Sequence, residues 1–268
     1  MSVHLAFHRL PIAAPRRSAV RIRTAVRTLV SPLARNLLKY VLLRAPSLRS
    51  PHFGAEEMAD LAVRFLETNE IHGSYLEFGL YRGAAFAHVY HAQRRRRLGL
   101  PMFGFDSFAG MPVAHGADAD PTFRRYDAGY FSCSEDEVRA ELRRRRVPAQ
   151  AYTLVPGFYD DSLHPSLYEQ PGLTPAAMIL IDCFYYESTR QALRFITPTL
   201  QNGTVLMCNS YFRFKAHPDY GERGAVTDWM RHTPAVALTE YAKFGTTGIA
   251  YIVHLLAPSS MHSGSPTP

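Results

Sequence analysis

Cysteine is scarce in this chain. Only Cys133, Cys183 and Cys208 occur in 268 residues, with no CxxC pair and no even set. That excludes a disulfide-stapled secreted framework and makes a reducing, cytoplasmic setting the expectation. No apolar run reaches the length of a membrane-spanning helix, and no internal repeat is present. Acidic residues are missing from the first 55 positions, where nine Arg and one Lys precede Glu56. The formal net charge of +7 therefore divides into +10 on residues 1–55 and −3 on residues 56–268. The basic character belongs to an arm, so the high isoelectric point does not mark the whole protein as a nucleic-acid binder.

Within that arm, residues 1–50, a helical spacing runs through Val20, Ile22, Val26, Leu29, Val30, Leu33, Leu37, Leu38 and Val41, with Arg between them and a kink expected at Pro32. Three readings stay open. The stripe packs on the body or on a second subunit of a homo-oligomer, the helix lies peripherally on an anionic membrane surface, or the segment is an organellar transit peptide. The runs Arg94–Arg97 and Arg143–Arg146 fall at expected helix C-termini, where basic side chains complement the helix dipole. Neither run carries an aromatic or motif context for nucleic acid.

From residue 51 to residue 256 the pattern alternates. Helices are expected over Glu56–Glu67, Ala84–Arg97, Glu135–Arg146, Ser188–Ile196 (with a Ser188/Gln191 capping box) and Ala225–His232. Strands are expected over Ser74–Phe78, Met102–Phe105, Ala151–Val155, Met178–Ile181, Thr204–Cys208, Val236–Tyr241 and Ile249–Leu255. Such alternation predicts an α/β domain with a mostly parallel seven-stranded sheet, helices on both faces and an antiparallel edge from the last two strands. Residues 109–134 lack a period and carry Phe123, Tyr126, Tyr130 and Phe131, which suits a lid. Residues 257–268, rich in Ser, Pro and Gly, read as a disordered tail.

The first strand runs into Glu77-Phe78-Gly79-Leu80-Tyr81-Arg82-Gly83 and then a helix. Gly79 permits a tight turn, Gly83 lets the helix begin close to the crevice, and the helix N-terminus offers free N–H groups. The second strand ends in Asp106, followed by Ser107 and Phe108. A carboxylate at that end of an open sheet accepts hydrogen bonds from a ribose diol; the alternative is the N-cap of a following helix. The glycine pair of a nicotinamide-dinucleotide fingerprint is absent, which disfavours an NAD(P) dehydrogenase.

Tyr75–Phe86 and Phe103–Phe108, with Gly157-Phe158-Tyr159-Asp160-Asp161-Ser162-Leu163, resemble the class I S-adenosylmethionine-dependent O-methyltransferases of the macrocin type. The likeness runs from Gly54 to His232. It implies a Rossmann-like class I methyltransferase fold, S-adenosylmethionine as cofactor and a small-molecule hydroxyl acceptor, a sugar or a phenol. It places Glu77 and Gly79 near the methionine part, Asp106 at the ribose and the block from Gly157 and Phe158 at the adenine, and it counts Tyr81, Gly83, Ser107 and Asp182 among the cofactor-binding residues.

At the reacting end the resemblance departs. The family pattern Asp-Gly-Asp-Leu-Tyr-Glu-Ser-Thr is matched at Asp182, Tyr186, Glu187, Ser188 and Thr189, but its second aspartate is Phe184. Its Asp-Asp-Tyr is Asn209-Ser210-Tyr211. The family holds Mg2+ with carboxylates from these two strand ends, and Mg2+ wants a hard, near-octahedral oxygen shell. Asp182, Asn209 and Ser210 form at best a weak site, so methyl transfer with weak or no Mg2+ dependence is the expectation. A protein base would then serve, Asp182 first and His217 or His232 second. Cys183 and Cys208 read as space-filling thiols or, alternatively, as a soft-metal or nucleophilic pair. Phe184, Tyr185, Tyr186, Tyr211, Phe212 and Phe214 read as an acceptor-side wall or as plain packing. The competing function is a methyltransferase-like cofactor-binding protein without turnover.

Overall fold

A computed structural model describes residues 54–123 and 126–256. The expectations for the arm, residues 1–50, and for the tail, residues 257–268, lie outside the described residues. Seven strands form one sheet: β1 (Ser74–Phe78), β2 (Met102–Asp106), β3 (Tyr152–Pro156), β4 (Ala176–Ile181), β5 (Val205–Cys208), β6 (Val236–Phe244) and β7 (Gly248–Leu255). Their spatial order is β3-β2-β1-β4-β5-β7-β6. The first five pair in parallel, and β7 runs antiparallel to both β5 and β6.

The helices are α1 (Ala55–Thr68), α2 (Ala84–Arg95), α3 (Glu135–Arg144), the one-turn α4 (Tyr159–Ser162), α5 (Tyr186–Ile196) and α6 (Gly221–His232). All six residues of β4, an unbroken apolar run, are buried, as a strand covered on both faces requires. Alternation along β1 sends Tyr75 into one core with Phe86, Val138 and Leu142, and Leu76 and Phe78 into the other with Phe105, Leu193 and Phe195. Helix α1 buries Met58, Ala62 and Leu66 along one stripe. Helix α3 has a reciprocal Ser134/Glu137 capping box, three acids in its first turn and Arg143 and Arg144 in its last. Members of the arginine runs pair with helix carboxylates, Arg95 with Asp60 and Arg145 with Glu141.

Helix α5 corrects the expected capping box. It starts at Tyr186, so Ser188 lies inside its first turn. Asp118, buried and 68 residues upstream of Tyr186, caps the helix instead by accepting the Tyr186 N–H (2.7 Å) and the Glu187 N–H (3.0 Å). The long irregular segment is thereby pinned over the ends of the parallel strands. Tyr220 holds it again by donating to Asp120 at 2.7 Å, and Tyr185 by donating to the Tyr126 carbonyl at 2.9 Å.

Candidate active site

The C-terminal ends of β1 to β5 open into a cavity of about 700 Å3. It lies where the chain order reverses between β1 and β4, the usual ligand position in an open α/β sheet. Its size suits a nucleoside cofactor and a small acceptor together.

The turn after β1 is threaded between neighbouring strand ends. Gly79 donates its N–H to the Phe105 carbonyl at 2.9 Å, and Asp182 donates its own to Phe78 at 2.9 Å. Gly79 has φ +88°, and a Cβ there would stand 2.4 Å from the Asp182 carbonyl oxygen. Gly79→Ala is expected to destabilise the fold by about 3 kcal/mol or more, read as a lowered urea midpoint; a shift below about 1 kcal/mol would show that the turn relaxes freely. Gly83 is in the left-handed region as well, but its Cα faces Leu142 and Val138 of α3. Close helix packing, not close approach to the crevice, is its reason. Tyr81 borders the cavity and sets its ring edge against Phe131.

Asp106 holds this turn in place. One carboxylate oxygen accepts the Leu80 N–H (2.7 Å) and the Tyr81 N–H (3.0 Å), and the other accepts the Phe108 N–H (2.8 Å). The bond to Phe108 is an Asx-type turn, and no helix begins at residue 107, so the N-cap alternative does not apply. A carboxylate accepts about four hydrogen bonds, which leaves room for a ligand hydroxyl. Ser107 also borders the cavity, yet its hydroxyl is used within the turn, donating to the Gly110 carbonyl at 2.9 Å. On the far side, Gly157 (φ +125°) and Phe158 line the wall, and the Gly157 N–H donates to the Asp106 carbonyl at 3.0 Å.

Glu77 is almost fully buried beneath the cavity and accepts the Tyr75 hydroxyl proton. Burial, together with the charges of Asp182 and Asp106, raises its pKa to about 8 against the pull of the Tyr75 hydrogen bond. Asp182, at the end of β4, is gripped by Asn209 Nδ2 at 2.8 Å and by Ser210 Oγ at 3.2 Å. Burial pushes its pKa up, while Asn209, Ser210 and the charge of Arg213 pull it down.

The expected second base lies elsewhere. His217 packs its ring on Phe123 and Tyr220 and accepts the Asp219 N–H, so the structure does not bring it together with Asp182. The His232 ring nitrogen is engaged by the Asp228 carbonyl at the end of α6. The aromatic wall is smaller than expected. Phe184 and Tyr185 border the cavity, but Tyr186 bonds Asp228, Tyr211 packs on Phe212 and Tyr251, and Phe214 packs on Phe123. Burial raises the Cys183 and Cys208 thiols well above the usual cysteine value, which leaves neither a thiolate nucleophile.

Sequence reasoning missed Glu222. This residue of α6 is fully buried, and its two carboxylate oxygens accept the Cys183 N–H (3.2 Å) and the Ser210 N–H (2.8 Å). A signal existed: Glu222 shares an apolar helix face with Ala225, Val226 and Trp229. Asp118 offered none, since its partners are remote in sequence.

No group of three or more His, Cys, Asp or Glu side chains is arranged to hold a metal among the described residues. The donors at the expected Mg2+ position are one carboxylate with both oxygens engaged, an amide and a hydroxyl. That set does not fit the ion. The nucleoside end does fit S-adenosylmethionine, with carboxylates on β1 and β2 and a glycine turn between them. No helix among the described residues is long and apolar enough to cross a membrane.

A 4'-O-methyltransferase of 8-demethyl-8-(2,3-dimethoxy-alpha-L-rhamnosyl)-tetracenomycin C from Streptomyces olivaceus is 26% identical over 219 residues, spanning 72% of this chain and 79% of that protein. The O-methyltransferase NovP superposes with a TM-score of 0.60 at 22% identity, over 74% of this chain and 78% of its own. The calicheamicin methyltransferase CalS11 does so with a TM-score of 0.59 at 18% identity, over 90% and 94%. These two likenesses carry the fold. The macrocin-O-methyltransferase (TylF) family model matches residues 41–233, and the chain accordingly belongs to that family of O-methyltransferases.

Proposed function

We propose that the protein methylates a hydroxyl of a sugar, or of a phenol, on a small natural product, with Asp182 as the base that receives the hydroxyl proton. S-adenosylmethionine supplies an electrophilic methyl group on a sulfonium centre. The supporting observation is the half-buried Asp182 carboxylate, held by Asn209 and Ser210 at the wall of the same cavity that Asp106 and Glu77 serve. Glu77, Gly79 and Tyr81 shape the amino-acid side of the cofactor site. Asp106 takes the ribose with its remaining acceptor capacity and keeps the turn in register. Gly157 and Phe158 border the base.

The lid encloses the acceptor side through Phe131, which stacks on Phe184 at 5.5 Å. Enclosure aligns the hydroxyl and excludes competing water, the main contribution an enzyme makes to an in-line transfer. The sugar preference rests on the relative that methylates a rhamnosyl 4'-hydroxyl. The replacements Phe184, Asn209 and Ser210 favour a second reading, a cofactor-binding protein without turnover.

Thermal unfolding with S-adenosylhomocysteine, followed by turnover on rhamnosides and phenols, tests this function. At 100 times its dissociation constant the ligand adds about 2.7 kcal/mol of stability, and Asp106→Ala is expected to lose most of that gain. No gain in the wild type, or an undiminished gain in Asp106→Ala, rejects the cofactor site. Binding without turnover across the panel supports the second reading.

A further inference from the structure

A shared cation would tie the end of β4 to the end of β5, and here the donors for it are missing. Phe184 occupies the position of the second aspartate with no oxygen to offer. Its ring stacks on Phe131, and the Arg213 guanidinium lies over it at 4.7 Å. Yet the two strand ends are still tied. On the cavity side, Asn209 and Ser210 reach from β5 to the Asp182 carboxylate on β4. On the opposite side, Glu222 accepts one N–H from each end, Cys183 beside Asp182 and Ser210 beside Asn209. A fully buried carboxylate that spans two backbone segments fixes their separation, because moving either one strands a buried donor or acceptor.

We propose that Glu222 is the positioning residue that fixes the Asp182–Asn209–Ser210 geometry in this chain, and that the site works without a divalent cation. The inference rests on methyl transfer as read above, but it concerns how the two strand ends are held, which is measurable without turnover. Glu222 touches no reacting atom. It acts through the two backbone segments whose side chains orient the base. Misplacement of a reacting group by about 1 Å costs on the order of 100-fold in rate.

The experiment compares wild type with Glu222→Gln, which keeps the volume and one carbonyl acceptor while turning an NH2 toward the other backbone N–H. Four quantities are read: Mn2+ binding by electron paramagnetic resonance, S-adenosylhomocysteine affinity by calorimetry, amide exchange by mass spectrometry, and kcat against KM on the acceptor panel with and without EDTA. For wild type, no bound Mn2+ and a rate unchanged by EDTA are expected. For Glu222→Gln, the expectation is faster exchange confined to residues 182–184 and 209–211, a kcat lowered about tenfold or more, and unchanged S-adenosylhomocysteine affinity.

Mn2+ bound stoichiometrically by the wild type, or a rate abolished by EDTA and restored by Mg2+, overturns the proposal. So does Glu222→Gln with unaltered kcat and exchange, or with cofactor affinity and global stability lost in parallel. In a protein that binds S-adenosylhomocysteine but transfers no methyl, the Mn2+ and exchange results still decide the matter. The missing turnover then counts against the proposed function alone.

Discussion

Asp182→Asn is expected to lower kcat by about 10²- to 10⁴-fold, the usual contribution of a positioned general base. The introduced amide can turn its oxygen to Asn209 Nδ2 and its NH2 to Ser210 Oγ, so both existing partners are kept. The loss should therefore fall on kcat, with the fold retained. A pH profile gives the sharper readout. Burial raises the Asp182 carboxyl above the ordinary aspartate value of 3.8, so wild-type kcat should climb with pH as this group ionises, with a midpoint above that value. The climbing limb should be absent from the residual rate of Asp182→Asn. A variant within about threefold of wild type would remove Asp182 from the chemistry.

Glu77→Gln is expected to change the pH dependence of stability strongly. The folded protein keeps a proton on Glu77 up to about pH 8, whereas the unfolded chain releases it near 4.5. Between those values the native state binds more protons than the unfolded state, so the Glu77 contribution to stability declines as pH rises. Across the whole window the decline is about 5 kcal/mol. The glutamine removes it: urea unfolding at about pH 5 should find the two proteins similar, and at about pH 9 the variant more stable. Its carbonyl still accepts from the Tyr75 hydroxyl. Cofactor affinity should fall above about pH 8, where Glu77 is ionised and a cationic ligand gains from the carboxylate beneath it. Identical pH dependence in both proteins would show that Glu77 does not hold its proton as the burial implies.

The distances and directions at Glu77 express a trade between stability and function. Three carboxylates, Glu77, Asp106 and Asp182, converge on one cavity, and burial first, then the charges of the other two, raises Glu77. An uncharged site would be more stable and would bind a sulfonium less well.

How much was legible in the sequence differs from residue to residue. The seven strands were legible because buried parallel strands are short apolar runs, as in β4, set between helical periods. Gly79 was legible for the right reason, a turn with positive φ. Gly83 was legible as a special position but for a different reason, since what opposes it is Leu142 of α3. Asp106 was marked as a ligand group, and the structure adds its three backbone donors. His217 was marked from its place after β5, yet its ring packs against Phe123 from the lid.

By itself, the sequence determined the order of strands and helices, the glycine turn, the acids at the ends of β1, β2 and β4, and the loss of the metal carboxylates at Phe184, Asn209 and Ser210. Each of these is written in local periodicity or in a residue's identity next to a strand end. Only the tertiary structure decided that Asp118 caps α5, that Glu222 joins β4 to β5, and that the lid aromatics close on Phe184. Those contacts join residues 12 to 69 positions apart. They form because buried N–H groups must find acceptors wherever the fold brings one close, and no local pattern records which acceptor that will be.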